Sequence, residues 1–236
     1  MSAEITIAIP AYKAEEFLAT AVESAMAQSF RDLRILVAVD PADDGTEVAA
    51  KALAARDARI EVLCHPERLG WVGNVNACLD RIETPFFAFC FHDDRLEPDF
   101  CTRLHPLLAA APGAVAAAGA IRERGCGGDA LQIAAPLAGT PYARARELLI
   151  RPPGRYGLKN LIRTEALAGL RLPENRFNGY LADLAFALAL ALRGDLVTTP
   201  EPLYEKALWD GSVTARWHRD GAALPDAVAA ATRDQI

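Results

Sequence analysis

Four short apolar runs constrain the fold of this chain more than any other feature: "EITIAIP" (4–10), "RILVAVD" (34–40), "RIEVLCH" (59–65) and "FFAFCF" (86–91). They are apolar at successive positions rather than alternate ones, as strands become when helices cover both faces of a parallel sheet. Helical stretches separate them. "KAEEFLATAVESAMAQSF" sets Phe17, Leu18, Ala21, Val22, Ala25 and Met26 on one stripe, and helices are expected through "EVAAKALAARD" and "VGNVNACLDRI". The repeated strand–helix unit makes the first half a Rossmann-like, doubly wound α/β half, with Pro10 closing the first strand and "FFAFCF" as the fourth.

In such sheets ligands bind outside the carboxyl ends of the strands. Here those ends are Pro10-Ala11-Tyr12, Asp40, Cys64-His65 and His92-Asp93-Asp94, so an aromatic ring and three aspartates gather along one edge. The second half is less regular. "DFCTRLHPLLAAAPG" reads as a helix, "AVAAAGAIRERG" as a strand leaving the core, and 125–141, rich in Gly, Ala and Pro, as a loop. A helix through "GYLADLAFALALALRG" is capped by Gly194, "LVTTPEPLYEKA" gives one or two short strands, and the tail from Ala222 is a surface helix.

Composition narrows the partners. A formal charge of −6 lacks the broad basic field of a nucleic-acid binder, so no nucleic acid is expected and any anionic ligand must be met locally. The longest apolar runs, at 107–121 and 181–192, are too short to span a bilayer and carry a breaker or a charge, which leaves only peripheral contact with a membrane. The start "MSAEITIAIP" lacks a basic leader, so a cytoplasmic location is expected. The five cysteines form an odd set without close-spaced pairs, as expected of reduced thiols that mostly fill the core.

Adjacent carboxylates at the end of a buried strand suit a hard divalent cation such as Mg²⁺ or Mn²⁺, although an Asp-Asp pair taken alone also reads as a solvated turn. The pair is not alone. "IAIPAYKAEEFLATAVESAMAQSF", "ILVAVDPADDGT", "LGWVGNVNACLD" and "FFAFCFHDDRLEPDF" follow one another in an order and spacing that resemble the family 2 glycosyltransferases of the GT-A fold. The resemblance covers about residues 4–105 and, weakly, the region from Gly179 to Thr214. It implies one GT-A domain over 1–236, with a nucleotide-sugar-binding half to about residue 110 and a smaller acceptor-binding half beyond.

On that resemblance, Pro10 and Tyr12 line the base pocket, Asp40 accepts the N3–H of uracil or thymine, and Gly70 and Asn76 lie near the sugar-nucleotide. Asp93 approaches the ribose or the metal's water shell, and Asp94 binds the Mg²⁺ or Mn²⁺ that bridges the diphosphate. From the residues alone, Tyr12 reads as a half-buried turn aromatic and Asp40 as a cap of the following turn. The chain departs from the family pattern at Lys13, at Pro41 and at Phe91, which falls where the first aspartate of the Asp-x-Asp signature stands.

An inverting transfer needs a base beside the acceptor hydroxyl. The resemblance places that carboxylate at Asp183, at the head of the long apolar helix, where an acid also suits the helix dipole; Asp195 and Asp210 are the fallbacks. Arg144, Arg146, Arg151, Arg155, Lys159 and Arg163 form a basic stretch that ordinarily reads as solvated surface; Arg155 is the candidate for a diphosphate contact. Trp217 and His218 read first as an ordinary packed surface pair, with closure over the site as the alternative. The implied activity is transfer from a UDP- or dTDP-sugar to a saccharide, lipid-linked or small-molecule acceptor. A catalytically silent sugar-nucleotide binder is the alternative. No Gly-x-Gly-x-x-Gly follows an early strand, and the Gly-rich basic loop of a nucleotidyltransferase is replaced by "PAYKAEEF".

Overall fold

The computed structural model describes residues 3–125, 128–150, 157–174, 179 and 181–212. The first half is the expected alternation: β1 (Ile5–Ala11), α1 (Leu18–Met26), β2 (Leu33–Val39), α2 (Thr46–Ala54), β3 (Ile60–Cys64), α3 (Gly70–Arg81) and β4 (Phe86–Phe89). It continues through β5 (Arg95–Leu96), α4 (Phe100–Ala109), β6 (Ala114–Gly125), β7 (Ala130–Gln132), α5 (Pro141–Ile150), β8 (Leu161–Arg163), α6 (Ala182–Arg193) and β9 (Asp195–Leu208).

Among the described residues these strands form one sheet in the order β3-β2-β1-β4-β8-β6-β9-β5, with β7 on β6. The pairs β1·β2, β2·β3, β1·β4 and β6·β9 are parallel. Order reverses at β1, since β2 and β3 lie on one side of it and β4 on the other. That is the switch point at which a doubly wound sheet opens a crevice at its carboxyl ends.

Apolar runs without alternation did mean burial on both faces. Ile5, Ile7, Ile9, Ile35 and Val37 pack with Leu18 and Val22 of α1, Leu53 of α2 and Leu104 of α4. Ala8, Leu36 and Ala38, the intervening positions, pack with Val75 of α3, Leu148 of α5 and Phe186 of α6.

Several expectations are corrected. Pro10 does not end β1, which runs on to Ala11. The Ala8 carbonyl accepts from Cys90 N–H on the β4 side, and Pro10, two residues on, faces the same way beyond the end of β4. Its missing N–H is therefore not needed by the ladder. β4 itself stops at Phe89, leaving Phe91 in the turn. The 125–141 segment contains β7 rather than being all loop.

The one or two short strands expected near the end are a single strand of 14 residues, β9. Its prolines fall at a register shift, where Ala118 pairs Thr198 but Ala120 pairs Pro202. A bulge of this kind accommodates proline and bends the strand. Gly194 does follow α6, but in extended backbone rather than a left-handed cap. A side chain there would meet Val115 at 2.4 Å and the Gly113 carbonyl at 2.7 Å, so close packing demands the glycine. The tail helix from Ala222 lies outside the described residues.

Candidate functional site

The carboxyl ends of β1, β2 and β4 and the amino ends of α3 and α6 meet at one edge of the sheet. Asp40, at the end of β2, is buried and accepts backbone N–H bonds from Leu69 (3.1 Å) and Gly70 (2.8 Å). It thus caps α3, whose first residue Gly70 takes φ +74°, a left-handed value that glycine adopts without penalty. Two carboxylate oxygens offer about four acceptor positions, so Asp40 keeps acceptor capacity for a ligand donor.

One turn further along α3, Asn74 is buried and donates to the carbonyls of Ala11 (3.3 Å) and Ala38 (3.1 Å), while its amide oxygen bonds His65 at 3.0 Å. It ties the ends of β1 and β2 together. Tyr12, just past β1, is half-buried, with the Arg68 guanidinium 4.1 Å from its ring centroid. Lys13, at the position of the family's asparagine, takes φ +49°, which asparagine tolerates better than lysine. Asn76 turns elsewhere: its amide donates to the Leu172 carbonyl (3.0 Å) and accepts from the Leu172 N–H (2.9 Å). It braces α3 against the second half, and both ends of the amide are engaged there.

The turn after β4 carries the paired aspartates. His92 Nδ1 donates to the Pro10 carbonyl at 3.2 Å, extending the β1–β4 ladder by a side chain. Asp93 accepts from Trp209 Nε1 at 2.8 Å, and the Trp209 ring lies against Phe17, with centroids 4.9 Å apart. Asp94 is 3% exposed. Its carboxylate accepts from the Lys159 ammonium, from Tyr204 Oη at 2.7 Å and from the Ala207 N–H at 3.1 Å. Burial raises the Asp94 carboxyl above the usual range, against the pull of Lys159, and the neighbouring Asp93 charge adds to the rise.

β5 creates this arrangement: directly after the turn it pairs antiparallel with β9, Leu96 opposite Tyr204 and Arg95 opposite Glu205. Phe91 lies in the same cluster. Lys159 Nζ is 4.8 Å from the Phe91 ring and 4.4 Å from the Tyr204 ring, and Tyr204 Oη accepts from the Phe91 N–H at 3.3 Å.

Asp183 heads α6 from the other side. Leu181 before it takes φ +61°, an uncommon value for a branched side chain, and Gly179 takes φ +74°. A side chain at Gly179 would meet Trp71 Nε1 at 2.5 Å and Val72 Cγ2 at 2.4 Å, so the glycine lets the α6 entry lie against the start of α3. Burial raises the Asp183 carboxyl; backbone N–H bonds and the nearby Lys159 and Lys206 ammonium groups oppose the rise without cancelling it. Lys159 therefore faces Asp94 by contact and Asp183 through space.

Of the sequence candidates, Pro10, Tyr12, Asp40, Gly70, Asp93, Asp94 and Asp183 lie around this edge. Asn76 is engaged with Leu172. Arg155, like Trp217 and His218, lies outside the described residues. The basic stretch is not simply a solvated face. Arg144 is buried against the Ala191 carbonyl (2.6 Å) and Asp195 (3.0 Å), and Arg163 donates to the carbonyls of Ala114 (2.9 Å) and Leu108 (2.7 Å). Sequence reasoning missed Arg68, Tyr204 and Trp209, and left Lys159 within a run of surface charge. Among the described cysteines Cys78, Cys90 and Cys101 are buried, as expected, and Cys64 is exposed; Cys126 lies outside the described residues.

No helix among the described residues is long and apolar enough to cross a membrane. The family model for glycosyl transferase family 2 matches residues 6–170. Among curated relatives, the UDP-Glc:alpha-D-GlcNAc-diphosphoundecaprenol beta-1,3-glucosyltransferase WfgD of Escherichia coli is 30% identical over 90 residues, 38% of this chain and 35% of that protein. The chain matches between 13% and 35% of the length of its curated relatives. Among solved structures, S. aureus TarS 1–349 in complex with UDP-GlcNAc aligns with a TM-score of 0.74 at 14% identity, covering 89% of this chain and 60% of that fragment. The mannosyltransferase PcManGT of Pyrobaculum calidifontis, in complex with GDP-Man and Mn²⁺, aligns at 0.66 and 16% identity, covering 98% and 64%. Both likenesses concern the fold, a curled α/β sheet covered by helices on both faces.

Proposed function

The chain belongs to glycosyl transferase family 2, and from that premise we propose that it moves a sugar from a UDP- or dTDP-linked donor to an acceptor hydroxyl, with inversion at the anomeric carbon. The observation that carries this reading is that Lys159 contacts Asp94 of the Asp93-Asp94 turn and also acts through space on Asp183 at the head of α6, whose carboxyl burial raises. In this reading the base of the nucleotide lies by Tyr12 and Pro10, Gly70 lies near the sugar-nucleotide at the head of α3, Asp40 accepts from the base, and Asp93 accepts from the ribose. Asp183 takes the proton of the acceptor hydroxyl as its oxygen bonds the anomeric carbon. The bond from that carbon to the diphosphate oxygen breaks, and the nucleoside diphosphate leaves with the electron pair. A carboxylate with a raised pKa is a stronger base than an ordinary one.

The resemblance implies Mg²⁺ or Mn²⁺ on Asp94, as PcManGT holds Mn²⁺ in its complex. The residues of this chain do not fit that group. The Asp94 carboxylate is committed to an ammonium, a phenol and a backbone N–H, and Phe91 contributes a ring where a ligand oxygen would stand. Among the described residues no three His, Cys, Asp or Glu side chains converge as a cation site. The roles proposed above therefore belong to protein side chains alone.

The name of WfgD specifies a UDP-glucose donor and a diphosphoundecaprenol acceptor. For this chain a UDP donor is preferred, and the acceptor is a saccharide, a lipid-linked sugar or a small molecule. Release of UDP or dTDP from a panel of donor sugars, with mixed acceptors, tests the assignment. Asp183→Asn is expected to lower turnover by about 100-fold or more while nucleotide binding persists. Undiminished turnover would remove Asp183 from its role, and nucleotide binding without turnover in the parent protein would make it a silent binder.

A further inference from the structure

We propose that the Lys159 ammonium takes the place of the divalent cation and holds the donor's diphosphate directly, so that nucleotide binding by this chain needs no metal. The inference rests on the reading of this edge as a nucleotide-sugar site. Two carboxylates flanking a divalent cation would leave it with little net charge; here one carboxylate, Asp94, faces one monovalent cation, Lys159. The position that would supply the other carboxylate is Phe91, whose ring lies 4.8 Å from Lys159 Nζ. An aromatic face attracts an ammonium without neutralising it, and Tyr204 offers a second face at 4.4 Å. An aspartate at position 91 would compete with Asp94 for the same ammonium, so the Phe91 ring and the Lys159 charge suit one another.

The lysine is also built to stay. Its side chain is 15% exposed, enough to reach a ligand but too little to sweep through solvent. Gly157, two residues earlier, seats the segment on α6: a side chain there would meet the Asp183 carbonyl and Ala187 Cβ, each at 2.9 Å. Of three ammonium protons, one goes to Asp94 and one to Tyr204 Oη, at 3.3 Å, leaving one for a phosphate oxygen. Arg68, above Tyr12, adds a second permanent cation at the rim of the same edge.

Isothermal titration of UDP and dTDP into protein dialysed against EDTA, and again with Mn²⁺, decides the matter. The expected result is binding in EDTA within about threefold of that with Mn²⁺, lost by about tenfold or more in Lys159→Met and partly restored in Lys159→Arg. Phe91→Asp is expected to weaken binding in EDTA and to make it respond to Mn²⁺. It should also deplete the electron-spin-resonance signal of free Mn²⁺, which the parent protein should leave untouched. Near-ultraviolet circular dichroism checks that each variant is folded; should Lys159→Met fail that check, the parent titrations and Phe91→Asp still decide. Binding by the parent only when Mn²⁺ is present would overturn the role of Lys159 and leave the nucleotide site standing. Absence of nucleotide binding under both conditions would overturn both.

Discussion

Asp183 sits in a place that disfavours its charged form. Its carboxyl is raised chiefly by burial, so the folded protein holds this proton to a higher pH than the unfolded chain does. The sign follows from linkage: with the folded pKa above the unfolded one, the ionised group subtracts stability above the folded pKa, and the penalty disappears as pH falls below the ordinary carboxylate value. Asp183→Asn, which retains an oxygen for the Leu184 N–H, should therefore melt higher than the parent protein, with a larger difference at about pH 8 than at about pH 4. Differential scanning calorimetry at the two pH values checks this; a lower melting temperature at the higher pH would contradict it. At this scale the sequence was legible where local chemistry speaks. An acid at the head of a long apolar helix announces itself, and so do two aspartates after a buried run. Lys159 does not, because it meets Asp94 across 65 residues and Tyr204 across 45, and a lysine among arginines has the pattern of a solvated face.

The elements owe their arrangement at the site to a few buried polar ties. Asp40 joins the end of β2 to the first turn of α3, and Asn74 returns from α3 to the carbonyls at the ends of β1 and β2. Replacing Asn74 by alanine would leave two strand-end carbonyls without that donor, in a place that excludes water. The expected loss is about 1–3 kcal/mol of stability, read from chemical denaturation, with weakened nucleotide affinity because the crevice floor loosens. Asn74→Asp should be worse, since an ionised carboxylate cannot donate to either carbonyl. An unchanged denaturation midpoint in the alanine variant would show the tie to be dispensable. Element types in the first half, and the long strand β6, were legible because runs apolar at every position have few interpretations. The length of β9 was not: its segment reads as one or two short strands, and only its partner β6 explains how a bulge carries one strand past two prolines. Nor could β7 be foreseen, since its three residues gain their pairing from β6 rather than from their own pattern.

At the scale of the molecule, the sequence suggested a nucleotide half to about residue 110 and an acceptor half after it. The sheet argues for a single folding unit. β8 pairs with β4 of the first half and with β6 of the second, and β5 of the first half pairs with β9. Both cores cross the division: Tyr204 and Leu161 pack in the cluster that holds Ile5 and Leu18, and Phe186 and Leu190 in the one that holds Leu36 and Val75. Cutting after Ala110 would expose the edge of β4, unpair β5 and open Phe87 and Phe89 to solvent, a loss of apolar burial worth roughly 1.5–3 kcal/mol for each large side chain. Trp71, on α3 of the first half, and Trp209, after β9 of the second, are each read alone when the other is changed to phenylalanine; Trp217 is changed in both variants. Urea unfolding followed by each tryptophan is expected to give one midpoint, coincident with the far-ultraviolet circular dichroism. The fragment ending at Ala110 should remain without cooperative unfolding. Two separated midpoints would instead make the halves independent domains, and the contacts that bring Lys159 and Tyr204 to Asp94 would then be a docking of preformed parts rather than a consequence of the fold.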